Sequence, residues 1–383
     1  MNKFIFLLLL FAATTAEAQT SALAVADSLY AVGNYSEAIK LLEKSETKSE
    51  AVLLKLAQAQ KANGNLNAAL HNYQGVLESN PNRVLTTVEY GKLLSSTGKL
   101  EMADSIFTHL MKKYPINAEF HYQLGLIREK RKDSTAMKHY NLAVLINRTH
   151  QQALIKVSKN VLVKGKVSRA ERLAKQGLEV NPANIALLSI LAQAYYYQKE
   201  YKQAIVEFEK LVDLGHGSEF VHTKIGTAYF HLENYEKAIA NFNSALNYEE
   251  ENHATHYSLG KLYALMGEYK NSEGHLLQAI LLKDVILDEE FTSLGLTYKY
   301  SDEPKKAMEY FNKALAENPD NERAMFERAV VADSYFKDLE TRMNYFQAYL
   351  KRFGETGSPN LLLLAQYRVK DLREEIHMNP AAK

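Results

Sequence analysis

Twelve histidines and no cysteine set the terms for any chemistry in this chain of 383 residues. His253-x-x-His256 lies beside Glu249, Glu250 and Glu251, a clustering of imidazole and carboxylate from which a divalent metal site can be imagined. Two imidazoles are half of a tetrahedral shell, and the competing reading is histidine packed in a core or at a helix end. Glu289 and Glu290 offer paired carboxylates, but at a helix start they complement the dipole better than they serve as acid and base. No P-loop, G-x-S-x-G elbow, H-E-x-x-H or dinucleotide fingerprint occurs. Without cysteine there is no disulfide framework, thiolate metal site or lipid-modified thiol. The expectation is a chain that is not an enzyme and uses no cofactor and no metal.

The elements that would position any site announce themselves by repetition. Ile225-Gly226-x-x-Tyr229, Leu259-Gly260-x-x-Tyr263 and Leu294-Gly295-x-x-Tyr298 succeed one another, each followed by a second anchor pair: Ala238 with Phe242, Ser272 with Leu276, Ala307 with Phe311. A small residue recurs at Ala38, Ala69, Ala103, Ala136, Ala170, Ala204, Ala238, Ser272, Ala307 and Thr341, at steps of 31, 34, 33, 34, 34, 34, 34, 35 and 34. Four residues further stands a larger apolar group, from Leu42 and Tyr73 to Phe311 and Tyr345, with Ala174 as the exception. Residues four apart share a helix face. The small residue lets helices approach, and the larger one is expected to fill the gap against the next unit. Gly91, Gly125, Gly226, Gly260 and Gly295 play the small part in the first helix of a unit, with Ala57, Ala192 and Ala329 as substitutes. Gly33, Gly64, Gly98, Gly165 and Gly267 fall between the two helices, where positive φ is useful. Pro81, Pro115, Pro182 and Pro319 share one slot between units.

This pattern resembles the tetratricopeptide repeat, W-x2-L-G-x2-Y, then A-x3-F, then P, over about residues 20–353. The Trp slot holds Leu53, His121, Leu154, Leu188, His222, His256 or Phe291 instead. The resemblance implies an all-α, right-handed superhelical α-solenoid of about ten antiparallel helix-pair repeats with a C-terminal capping helix. It also makes His121, His222 and His256 packing residues. The expected organisation is a signal peptide over 1–18, a solenoid over 19–353 with degenerate first and last repeats, and a loop, capping helix and short tail over 354–383. In the cap, Leu361, Leu364, Val369, Leu372 and Ile376 form the apolar stripe, with Arg368 away from it; a partner-binding helix is the rival reading.

The N-terminus has the features of a secretory leader: Lys3, an apolar run over 4–13 and Ala16-Glu17-Ala18 before Gln19. The run is too short to span a bilayer, which takes roughly 20 residues. The expectation is an exported bacterial protein, periplasmic or at the cell surface, with no integral membrane segment after cleavage. Charge is uneven within a near-neutral total: Arg128–Lys175 holds 13 basic against 3 acidic residues, and Asp213–Glu290 holds 5 against 13. Such a field could steer a partner, and the plainer reading is solvated helix surface. An exported protein makes nucleic acid an unexpected partner despite the basic stretch.

In this family the concave wall is lined by the first helix of each unit. The family register puts Lys92, Tyr122, Lys156, Lys159, Gln193, Tyr196, Tyr197, Thr223, Thr227, Phe230, Tyr257, Lys261, Lys299 and Tyr300 there. Tyrosine-rich walls suit peptides, since aromatics give contact area at little entropy cost. Some members clamp a terminal carboxylate with Lys and Asn; none of the corresponding Asn slots here, from Gln58 to Leu296, holds Asn. The expected function is a non-enzymatic scaffold holding a protein or peptide in this groove, in envelope assembly or secretion. A recognition subunit for a separate enzyme or signalling protein, or a glycan-binding protein, are the alternatives.

Overall fold

A computed structural model describes residues 22–283 and 286–378; the expected leader over 1–18 lies outside them. Every regular element among the described residues is a helix. They fall into two compact units that divide between Ile190 and Leu191.

The first unit runs through residues 22–31 (α1), Tyr35–Glu43 (α2), Glu50–Ala62 (α3), Leu66–Ser79 (α4), Val84–Ser96 (α5), Leu100–Lys113 (α6), Ala118–Lys130 (α7), Ala136–Ile146 (α8), Gln151–Val163 (α9) and Val167–Leu178 (α10). It ends within Ile185–Tyr197 (α11). The second unit continues with Tyr201–Asp213 (α12), Glu219–His231 (α13), Tyr235–Leu246 (α14), His253–Leu265 (α15), Tyr269–Leu282 (α16), Asp288–Tyr300 (α17), Pro304–Glu317 (α18), Glu322–Tyr335 (α19), Leu339–Phe353 (α20) and Pro359–Met378 (α21). Odd helices to α19 are the first of a pair and even ones the second. Within α2–α10 of the first unit, and within α12–α21 of the second, each helix packs on its neighbours in line; α17 also touches α15 and α19 directly.

The two kinds of helix begin differently. Seven first helices start on side-chain caps: Ser49, Asn117, His150, Asn184, Ser218, Asn252 and Asn321 each accept a backbone N–H three residues on. Most second helices follow a residue with positive φ that ends the first helix, after which the chain bonds back five residues, as in Asn65 N–H to Gln60 O at 2.8 Å. The five expected glycines do this, but Lys132, Lys199, Glu233 and Asp302 hold the same position with φ of 57–62°. The turn therefore dictates the conformation even where the residue type resists it.

Inside each pair the small–large pattern closes on itself. A Cβ added at Gly125 would stand 2.5 Å from the Tyr140 ring, at Gly295 2.6 Å from Phe311, at Gly260 2.6 Å from Leu276 and at Gly91 2.8 Å from Phe107. The large residue thus sits against the glycine of its own first helix, and not only against the next unit as the spacing suggests. Phe107 does both, with Phe120 of the following helix at 6.4 Å between ring centres. Tyr140, Phe208 and Phe311 are fully buried, each worth roughly 1.5–3 kcal/mol of apolar transfer.

The last pair departs from the rule. Thr341 and Tyr345 are only half-buried, while Phe346 and Tyr349 fill the core. The register has slipped by one, and Arg342 takes the small-residue slot by turning its guanidinium onto Asp333 at 2.6 Å. Helix α21 covers this pair with Ala365, Val369 and Leu372 buried, and Leu361 and Ile376 packed beside them. Leu364, expected in the stripe, is 56% exposed. Arg368, expected to face away, instead binds Asp333 through Nε at 2.7 Å.

Candidate functional site

The histidines of the Trp slot, His121, His222 and His256, pack between the helices of their own pairs. His256 Nδ1 lies 3.0 Å from His275 Nδ1 in the second helix of its pair, and its Nε2 lies 3.1 Å from the Glu250 carbonyl. His121 repeats this with His139 at 3.3 Å and the Pro115 carbonyl at 3.2 Å, and His222 reaches Asn241 at 3.2 Å. His253 is exposed. No group of three or more His, Asp or Glu side chains among the described residues is placed to hold a metal.

In the first unit two of the candidate groove lysines, Lys92 and Lys156, are engaged by neighbouring first helices, in a series of ion pairs that also includes Lys55 and Lys61. Asp27 pairs with Lys55 at 2.5 Å, Lys61 with Glu89 at 2.6 Å, Lys92 with Glu119 at 3.4 Å, and Glu129 with Lys156 at 2.6 Å. These rungs link α1, α3, α5, α7 and α9 in turn. Glu119 also accepts from His150 and Gln123; the His150 contact, with Gln123 and Lys92, holds its carboxyl at about 2 against the opposing effect of burial. Tyr122 packs between His150 and Tyr140, at 5.0 and 5.8 Å between ring centres. Lys159 is exposed. The carboxylate partners of these lysines were not among the expected site residues. Their signal is a recurring separation of 27 or 28 residues, which becomes meaningful only once first helices are known to be neighbours.

The second unit gathers more of the expected residues. Tyr196 carries the Lys224 ammonium 4.7 Å above its ring and a hydrogen bond with Thr227 at its hydroxyl. Tyr197 points elsewhere and is 55% exposed. Gln193 is half-buried beside them. Thr223 donates to Glu219 at 2.9 Å. Thr227, Phe230, Tyr257 and Lys261 line a recess of about 180 Å³ between α13 and α15, with His231 and Phe242 as further wall and floor. A second recess of about 200 Å³ lies between α15 and α17, bounded by Lys261, Leu265, Ser293, Leu296, Tyr300 and Arg323. Lys299 does not join them, since its ammonium pairs with Glu327 of α19 at 2.6 Å.

Both recesses are mainly apolar, and Lys261 stands on the ridge they share. Its ammonium lies 5.1 Å from the Tyr257 ring centre, a cation–π contact that leaves the charge accessible. The wall residues absent from the expectation include three small ones, Ser258, Ala264 and Ser293. They create space by what they lack, which a search for large or charged residues passes over. Among the described residues no helix is long and apolar enough to cross a membrane.

Residues 226–267 match a family model described as a TPR repeat, and residues 291–321 and 51–83 each match one described as a tetratricopeptide repeat. Among solved structures the chain is similar to YrrB, described as a TPR protein with an unusual peptide-binding site, at 21% identity and TM-score 0.46, over 49% of this chain and 97% of that one. It is similar to MamA at 26% identity and TM-score 0.41, over 43% and 95% of the two chains. It is also similar to a tetratricopeptide repeat protein from Parabacteroides merdae, at 15% identity and TM-score 0.42, over 74% and 99%. No curated protein matches the sequence.

Proposed function

The chain belongs to the tetratricopeptide-repeat family, and from that premise we propose that it is a non-enzymatic scaffold binding a segment of a partner protein along its first-helix face. Proteins built from these repeats hold other proteins or peptides. The observation that carries the reading here is the pair of apolar recesses along α13, α15 and α17, open to solvent and joined at Lys261. Apolar hollows with a few placed polar groups are where ligands gain affinity. A groove of this kind orders a partner without altering its bonds.

The same reading includes export to the periplasm or cell surface of a bacterium, and a role in envelope assembly or secretion. The leader-like residues 1–18 support export. N-terminal sequencing of the native protein tests this: Gln19 as the first residue is the expected result, and a retained Met1 overturns it. For the groove, the test is affinity capture with the native chain and with Phe230→Ala plus Tyr257→Ala. Loss of a specific partner from the double variant is expected, and equal recovery of every partner overturns the assignment.

A further inference from the structure

The recesses lie where the ladder of ion pairs between first helices is interrupted. Rungs join each first helix from α1 to α9, and Lys299–Glu327 joins α17 to α19. No ion pair among the described residues joins α13 to α15 or α15 to α17. Lys261 follows the buried Gly260 as Lys92 follows the buried Gly91, so the two lysines occupy one slot. Lys92 reaches Glu119, the second residue of α7. The corresponding residue of α17 is Glu289, which is exposed and makes no ion pair with Lys261. A cation without a carboxylate partner, set between two apolar hollows, is complementary to a carboxylate flanked by apolar groups.

The spacing limits the ligand further. Each recess exceeds the roughly 150 Å³ that holds a benzene ring, so each admits an aromatic or branched aliphatic side chain. Their centres are one first-helix spacing apart, about 8–10 Å. Side chains on one face of a β-strand recur at about 7 Å, which is too short. In a polyproline-II conformation residues i and i+3 share a face at about 9 Å, which fits. We infer that this surface takes an extended, polyproline-II-like segment of a partner protein bearing two apolar side chains three residues apart, with an aspartate or glutamate between them on Lys261. The inference rests on the first-helix face being the partner-binding face, and it names what that face selects.

The test is selection of phage-displayed random short peptides against the full chain, each peptide fused at its carboxyl end so that no terminal carboxylate is offered. The expected consensus is apolar-x-x-apolar with Asp or Glu at an intervening position. A synthetic consensus peptide, capped at both ends, should bind Lys261→Glu about tenfold more weakly or worse, as loss of a charge-assisted contact implies. Selection against Lys261→Glu should replace the acid with Lys or Arg. Lys261 is exposed, so both Lys261→Glu and Lys261→Gln should melt with the native chain. Peptides that need Phe230 and Tyr257 but lack the acid or the spacing overturn this inference and leave the binding face standing. Failure to select any peptide that needs Phe230 and Tyr257 overturns both.

Discussion

The Nδ1 atoms of His121 and His139 face each other at 3.3 Å, and the bonds around them fix both protons. Arg128 Nη1 donates to His139 Nε2 at 2.9 Å, so His139 carries its proton on Nδ1 and donates it to His121. His121 then has its proton on Nε2, directed at the Pro115 carbonyl at 3.2 Å. The chain of donors is consistent only with both rings neutral.

Acid should therefore loosen the first unit. Burial, then the Arg128 charge, pushes His139 down from 6.5 to about 4. Between those values the unfolded chain binds a proton that the folded chain refuses. The stabilisation is complete above pH 6.5 and is lost as pH falls towards 4, by roughly 2–3 kcal/mol. Thermal melts across this range should show His139→Gln less pH-sensitive than the native chain. His275 is shifted the same way by burial and by His256, so some sensitivity should remain in that variant.

Glycines of the two structural kinds should respond oppositely to alanine. Gly125→Ala sets a methyl 2.5 Å from the Tyr140 ring and should destabilise by about 1–3 kcal/mol. Gly274 lies inside α16 with nothing within 4 Å of its would-be Cβ. Gly274→Ala should stabilise by about 0.5–1 kcal/mol through helix propensity. Chemical denaturation of the two variants checks both signs.

At the turns, Glu233→Gly should raise stability by up to about 1 kcal/mol, because it relieves a side chain held at φ 58°. Gly98→Ala, at φ 81°, should lower it by a similar amount. Equal melts for both variants would remove the turn argument.

Asp333 ties the cap to the last pair. Burial opposes its charge, but hydrogen bonds from Arg368 and Arg342 outweigh it and hold its carboxyl below the usual range. Asp333→Ala leaves two half-buried guanidinium groups without this partner and should cost about 1–3 kcal/mol. Proteolysis should then cut first between Phe353 and Pro359, the connection to α21.

The core was legible in the sequence because its rule is periodic. Ala69, Ala103 and Ala204 stand at a fixed step and are fully buried. The last pair was not, since Arg342 fills a small-residue slot by pairing with Asp333, a contact that no spacing rule contains. In the groove, Phe230, Tyr257 and Lys261 were expected and do share a recess. Lys92 and Lys156 were expected too, but Glu119 and Glu129 hold them. The family register assigns a residue to a face; only packing decides whether its end is engaged.

The most direct test of partner binding is a photo-crosslinking residue placed at Leu265, on the rim of the second recess, and separately at Val206 on α12. They are 59% and 50% exposed, so access is comparable. In cells, a discrete protein adduct is predicted from Leu265 and none from Val206. Equal adducts from both positions, or an adduct from Val206 alone, would contradict the account.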